Sequence, residues 1–295
     1  PGILKRHPYI DLFEKNDVFI KTPDGKAPYY GRWWGGEGRF FDFTGPNGRN
    51  TWKQLLEENI LKKGTKTVWN DNCEMDGVED RDAQCDFEGK KGTMAELKIL
   101  HSNLMAYTAK QALADVYPGE RPYIINRAGY AGIQRYAQTW CGDNYTSWKS
   151  LKYNIPIITG MGLSGQPNEG ADIGGFAGPA PTEELFVRWV QQGIFLPRFS
   201  IHSWNDDQTV NEPWMYPEIT PHIRDLIKFR YRLMPYLYDL LWRYHNHLEP
   251  MMRPTLHDFP DDPRCFEEND DFLLGSKLLV APVVLPGQHT RQVYL

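Results

Sequence analysis

The sequence is poor in cysteine, has no long apolar run and nowhere concentrates basic charge. Its four cysteines, Cys73, Cys85, Cys141 and Cys265, are scattered through 295 residues. None forms a CxxC pair or stands at zinc-binding spacing from histidine, which excludes a disulfide scaffold and a structural zinc module. Free thiols are expected, with a Cys73–Cys85 bridge left open within one loop region. No stretch of about 18 apolar residues exists, so no segment reads as a membrane-spanning helix. No signal peptide is visible, which favours a cytoplasmic location. The chain opens on Pro1 and stops in the apolar run Gln292-Val293-Tyr294-Leu295, so both ends read as cut. The net charge is −5 and no Lys/Arg run forms a basic patch, so nucleic acid is not an expected partner. The glycine-interrupted loop Trp33–Gly38 lacks the Lys-Ser/Thr of a phosphate-binding loop. His101, His202, His222, His245, His247 and His257 show no ligand spacing beside carboxylates, and His245 and His247, two apart on a helix, do not share a face. No metal or other cofactor is expected.

Aromatic residues are abundant instead: 10 Trp, 16 Tyr and 14 Phe. Trp and Tyr combine an apolar face with a polar tip, which suits the apolar C–H faces and polar rims of sugars. A large aromatic core explains the same composition equally well.

Short apolar runs alternate with helical periodicity. Val18–Lys21 reads as a strand, Thr22–Gly25 as a turn, and Pro28–Trp34 as further extended chain. Asn50 or Thr51 is placed to cap a helix through Trp52, Leu55, Leu56 and Ile60, ended by Gly64. Thr67-Val68-Trp69 is a strand. Met94, Leu97, Leu100, Leu104, Tyr107 and Ala112 recur at helical spacing until Pro118-Gly119. Tyr123-Ile124-Ile125 is a buried strand. Ser147 caps a helix into Ile157-Ile158, and Gly170–Gly175 reads as another strand end. A helix opens at Pro181–Glu184 with acids in its first turn, where the helix dipole favours them. Phe199–His202 reads as a fourth strand, and residues 219–249 as a long amphipathic helix containing Pro235. From Phe272 onward the chain reads as strands and turns without a helix.

Alternating strands and helices imply an α/β fold with a parallel sheet or barrel. Each strand ends on a polar residue: Asp71, Arg127, Asp172 and His202. In a (β/α)₈ TIM barrel such ends face one opening; in a doubly wound sheet they flank one crevice. The barrel is favoured, although four or five units are countable rather than eight. Residues 1–258 are therefore read as a partial barrel and 259–295 as the start of an all-β domain.

Two carboxylates, Asp71 and Asp143, stand at the mouths of consecutive strand–helix units. Glycoside hydrolysis needs such a pair, held about 5–5.5 Å apart in retaining enzymes. Taken locally, Trp69–Glu74 fits an Asn/Asp-rich turn better than a catalytic acid. Asp172 and Arg127 equally fit an ion pair, and His202 a satisfied core histidine.

Several ordered motifs resemble glycoside hydrolase family 31, the α-glucosidase family. Trp69-Asn70-Asp71-Asn72-Cys73-Glu74 resembles its W-x-D-M-N-E-P nucleophile motif. Arg127–Tyr136 followed by Trp140-Cys141-Gly142-Asp143-Asn144 resembles R-S-x-x-A-G-x-x-R-Y…W-x-G-D-N. Gly170–Phe176 matches G-x-D-I-G-G-F, Arg188–Gly193 matches R-W-x-Q-x-G, and His202 and Glu212-Pro213-Trp214 fall in order. The resemblance implies a barrel catalytic domain, Asp71 as nucleophile and Asp143 as acid/base. It implies Trp69, Asn72, Arg127, Trp140, Asp172, Phe176 and His202 around the bound sugar of an α-glucoside oligosaccharide. It also implies the later part of the barrel, with an N-terminal β-sandwich and the first barrel strands lying before residue 1.

Four departures stand out. Asn72 replaces the usual Met after the nucleophile, Cys73 replaces the usual Asn, Met75 replaces the usual Pro, and Ser200-Ile201-His202 replaces R-x-H, removing one positive charge. Hydrolysis of terminal α-linked glucose is the leading expectation. Transglucosylation, α-xylosidase or α-glucan lyase action, and a catalytically inactive carbohydrate-binding fragment are the alternatives.

Overall fold

The computed structural model describes residues 2–267 and 270–295. The chain forms two compact units, Pro1–Gln138 and Thr139–Leu295.

In the first unit, β1 (Gly2–Ile3), β2 (Tyr30–Trp33) and β3 (Gly36–Phe40) form an antiparallel sheet in the order β1-β3-β2, with the short helix α1 (Ile10–Lys15) between β1 and β2 in the chain. Val18–Lys21, expected as a strand, makes only isolated bridges, Phe19 to Phe41 and Lys21 to Pro28 and Gln84. Its side chains are held by packing instead: Phe13, Phe19, Ile20, Phe41 and Phe43 are buried in one cluster. Helix α2 runs Pro46–Asn59 and starts earlier than the expected Asn50/Thr51 cap. Gly45 is its N-cap and Pro46 follows in the first turn, where proline's fixed φ suits the helix and its missing N–H costs nothing.

Strand β4 (Thr67–Asn70) and strand β7 (Tyr123–Asn126) pair in parallel, Trp69 opposite Ile125 and Asn70 opposite Asn126. Between them in the chain come the hairpin β5 (Gln84–Cys85)/β6 (Gly92–Thr93) and helix α3 (Met94–Val116). A capping box starts α3: Thr93 N–H donates to Glu96 Oε2 at 2.9 Å, while the Thr93 side chain accepts from the Glu96 backbone. Its Ala109, Ala112 and Leu113 pack on Val68 and Ile124, the inner residues of β4 and β7.

The buried face of α3 also carries His101, which meets Asp42 and Cys85 with ligand atoms within 4.8 Å of one another. No spacing in the sequence anticipates this cluster. Phe43 N–H donates to His101 Nδ1 at 3.4 Å, which places the ring proton on Nε2, 3.6 Å from Cys85 Sγ. A protonated Nε2 is a hydrogen-bond donor rather than a metal ligand. Burial lowers the His101 pKa to about 4, with Asp42 opposing the shift. The folded value lies below the ordinary 6.5, so His101 favours the folded state above pH 6.5 and that contribution is lost as pH falls toward 4. The loss amounts to roughly 3 kcal/mol. In a pH series of thermal midpoints, H101Q should flatten the decline on this acid side. An unaltered decline would exclude His101 as its source.

The strand β8 (Gln138–Thr139) crosses the boundary between the units, and in the second unit Trp140–Tyr145 leads to α4 (Trp148–Leu163), whose cap Ser147 accepts from Ser150 N–H at 3.1 Å, as expected. Helix α5 (Glu183–Gly193) is capped by Thr182 and opens with Glu183 and Glu184. Helix α6 (Thr220–His247) keeps Pro235 in its interior and ends at Leu248 with φ 60°. Trp189, Phe186, Leu196, Ile158 and Ile223 are buried in one core with Ile173. The tail forms an antiparallel sheet in the order β11-β10-β9 from β9 (Met252–Arg253), β10 (Phe272–Leu274) and β11 (Leu278–Val280), with the short helix α7 (Thr255–Asp258) after β9.

The expected strands at Gly170–Gly175 and Phe199–His202 shrink to one parallel bridge, Asp172 to Ser200. Consecutive left-handed glycines, Gly174 at φ 93° and Gly175 at φ 90°, turn the chain away directly after Asp172, so the pairing cannot lengthen.

Candidate active site

In the first unit the parallel pair delivers two side chains to one place. Arg127 N–H donates to Asn70 O at 3.0 Å, extending the ladder one residue past each strand. Arg127 Nε then reaches Asp71 Oδ1 at 2.6 Å, and the guanidinium lies 3.0 Å from Glu74 Oε1. Two carboxylates share one guanidinium, which compensates one of the two charges. The Asp71 side chain remains 45% exposed beside the 17% exposed Arg127, so the acid is open to a ligand while its partner is held. Burial raises the pKa of Glu74, and Asp76 and Asp71 push the same way while Arg127 opposes. Trp69 and Asp71 line one cleft of about 270 Å³ with Trp52, Ile60 and Met105.

The two departures directly after Asp71 have local structural reasons. Asn72 sits at φ 51°, a left-handed conformation that asparagine tolerates and methionine resists. Its Oδ1 accepts from Trp34 Nε1 at 2.6 Å. Cys73 is buried and its sulfur accepts from Ala128 N–H at 3.3 Å and Asn126 Nδ2 at 3.4 Å, the residues flanking Arg127. Burial pushes the Cys73 thiol up to about 12, so it remains a neutral packing group. Cys73 and Cys85 are both free thiols, and the bridge left open between them is not formed.

In the second unit the candidate residues lie on three segments joined by backbone hydrogen bonds. Asp143 is exposed, in a loop that Gly142 enters at φ 72°. Its neighbour Asn144 donates from Nδ2 to Asp172 O at 3.1 Å and accepts from Phe176 N–H at 2.7 Å. Ile173 N–H donates to Ser200 O at 2.9 Å, and Trp204 N–H to Phe176 O at 2.8 Å. The rings of Phe176 and His202 stand 5.1 Å apart. Asp143, Asp172, Phe176 and His202 are thus fastened side by side. Asp172 and Trp140 are 0% and 4% exposed, so in this state they support the wall, while His202 is exposed.

Three residues of consequence escape the motif reading. Trp34, 73% exposed beside Asn72, is signalled by the Trp33-Trp34 pair. Arg198 and Glu169 carry no local signal. Glu169 is 1% exposed, accepts from the Thr139 hydroxyl, and has Cys141 Sγ 3.8 Å from Oε1. Burial raises its pKa to about 7, with Thr139, Gly170 N–H, Arg198 and Cys141 opposing. The folded value lies above the ordinary 4.5, so Glu169 stabilises the fold below that value and the contribution is lost as pH rises to about 7. The loss is roughly 3 kcal/mol. E169Q cannot ionise, so its thermal midpoint should fall less than that of the unmodified protein between about pH 5 and about pH 8. Equal slopes would show that another group titrates.

A parallel strand pair, helices packed on it and an acid directly after one of its strands fit an α/β catalytic domain. Residues 1–240 match the model of the "Glycosyl hydrolases family 31 TIM-barrel domain" and residues 248–295 that of the "Glycosyl hydrolase family 31 C-terminal domain". The chain belongs to glycoside hydrolase family 31. It is 33% identical over 302 residues to Alpha-glucosidase 2 of Bacillus thermoamyloliquefaciens, which covers 100% of this chain and 38% of that protein. Among solved structures it is similar to a Flavobacterium johnsoniae dextranase complexed with glucose, at TM-score 0.88 and 30% identity over 97% of this chain and 36% of the other. It is also similar to an α-xylosidase from a soil metagenome complexed with xylose, at TM-score 0.90 and 25% identity over 100% of this chain and 46% of the other. The chain thus spans 36–46% of the length of these relatives.

Proposed function

We propose that the protein containing this chain is a retaining glycosidase that removes terminal α-linked glucose from oligosaccharides. In this reading residues 1–258 are the later part of a catalytic barrel and 259–295 the start of an all-β domain. Asp71 attacks the anomeric carbon as the glycosidic C–O bond breaks, and Asp143 gives its proton to the departing oxygen. Water then attacks the same carbon, Asp143 takes its proton, and the bond to Asp71 breaks. Two displacements leave the anomeric configuration unchanged. In the same reading Trp69, Asn72, Arg127, Trp140, Asp172, Phe176 and His202 surround the bound sugar, as the family resemblance implies.

The observation that carries the proposal is Asp71, ion-paired to Arg127 at the ends of two parallel strands yet open to solvent. The likeness to an α-xylosidase over the whole chain supports a second reading in which xylose is removed. A proton NMR time course of the full-length protein with maltose, isomaltose and an α-xyloside tests both. Early appearance of α-glucose supports the first reading and α-xylose the second. A β-anomer as the first product would sink the retaining mechanism. With an added acceptor sugar, mainly transfer product would replace hydrolysis by transglucosylation.

A further inference from the structure

Ser200 stands where the R-x-H resemblance places an arginine, so a positive charge is missing from the second unit's candidate site. The structure supplies one two residues earlier. The backbone of 198–200 runs beside 169–173: Arg198 N–H donates to Glu169 O at 3.0 Å, and Ile173 N–H to Ser200 O at 2.9 Å. Residues two apart along an extended chain point to the same side. The Arg198 side chain is 4% exposed, and its guanidinium lies 3.6 Å from Asp172 Oδ1 and 5.6 Å from the centre of the Trp140 ring.

The turn leading into Arg198 is anchored separately. Arg230 on α6 is buried and donates to Ile194 O, Leu196 O and Pro197 O at 2.8, 2.7 and 2.9 Å. Asp172 is in turn the hub of the site: its carbonyl accepts from Asn144, next to Asp143, and from Gly175, next to Phe176.

We propose that Arg198 is a positioning residue that replaces the arginine absent at Ser200: it holds the buried Asp172, and through Asp172 the segments bearing Asp143 and Phe176. Two features make the relocation workable. The guanidinium lies over the Trp140 ring, 5.6 Å from its centre, so one buried group serves an acid and an indole together. Glu169 faces the same charge and offsets its burial. With Arg198, Asp172 and Glu169 all ionised, the group carries one net negative charge, and burial raises the pKa of Glu169 to about 7 while Arg198 opposes. The charge is supplied from two residues earlier in the same segment.

This inference rests on the glycosidase reading, and its test separates the two. The full-length protein is compared with R198M and with R198M/S200R, which returns the charge to the position the family motif expects. On maltose, R198M should lose about 100-fold in kcat with a much smaller change in KM, the cost of misplacing a catalytic group by about 1 Å. R198M/S200R should recover at least about ten-fold of that loss. Recovery in the double variant supports the proposal whether or not R198M itself folds, because a merely structural arginine would not be replaced from another position. R198M with unchanged kcat, or R198M/S200R that fails to fold or folds without recovery, overturns it. If the unmodified protein releases no sugar, the glycosidase reading fails alone. The same three chains then report through their thermal midpoints, where S200R must restore what R198M loses.

Discussion

Asp71→Asn in the full-length protein is expected to leave the fold intact and lower kcat on maltose by about 10⁴-fold or more, the loss that follows removal of a nucleophile. Asparagine keeps the shape and the Asn72 N–H contact at Oδ1 but cannot form the ester. Arg127 keeps Glu74 as a partner 3.0 Å away, so no buried charge is stranded and the variant should remain stable. Mass spectrometry of intact protein gives an independent readout. An activated 2-fluoro glucoside, whose second step is slow, should add one sugar to the unmodified protein and none to D71N. A loss in kcat below about ten-fold would remove Asp71 from the mechanism and favour the non-catalytic carbohydrate-binding reading.

The second large effect concerns Asp143. D143N should lower kcat on maltose by about 10²–10⁴-fold, the range of general acid–base catalysis. The loss should shrink sharply on an aryl glucoside whose leaving phenolate needs no proton. With that substrate the second step becomes limiting, and a small anion such as azide, which needs no base, should restore turnover. Asp143 is exposed, so the substitution costs little stability. Equal losses on maltose and on the aryl glucoside, with no response to azide, would assign Asp143 a role other than proton transfer.

The helices and the parallel pair were legible because their signals are local. Ser147 and Thr182 cap α4 and α5 where their position before an apolar-periodic run puts them. Val68 and Ile124 are buried on adjacent parallel strands, as unbroken apolar runs require. Asp71 was legible only through the order of later motifs, because Trp69–Glu74 alone fits a turn. The strands at Asp172 and Ser200 were over-read: periodicity reports which residues are buried, whereas a ladder also needs a neighbour that continues in register, and Gly174 and Gly175 end that here.

The sequence by itself determined the family and the alternation of strands and helices, because these depend on residue type, order and local spacing. Only the tertiary structure decided what surrounds the acids. Arg127 serves Asp71 and Glu74 together, Cys73 accepts from the backbone beside Arg127, and Arg198 compensates Asp172 from outside the expected motif. Each of these contacts joins residues 26 to 56 apart in the chain. A charge can be met from any neighbouring strand whose backbone brings a cation within reach. Which strand that is depends on packing, and no local pattern in the sequence records it.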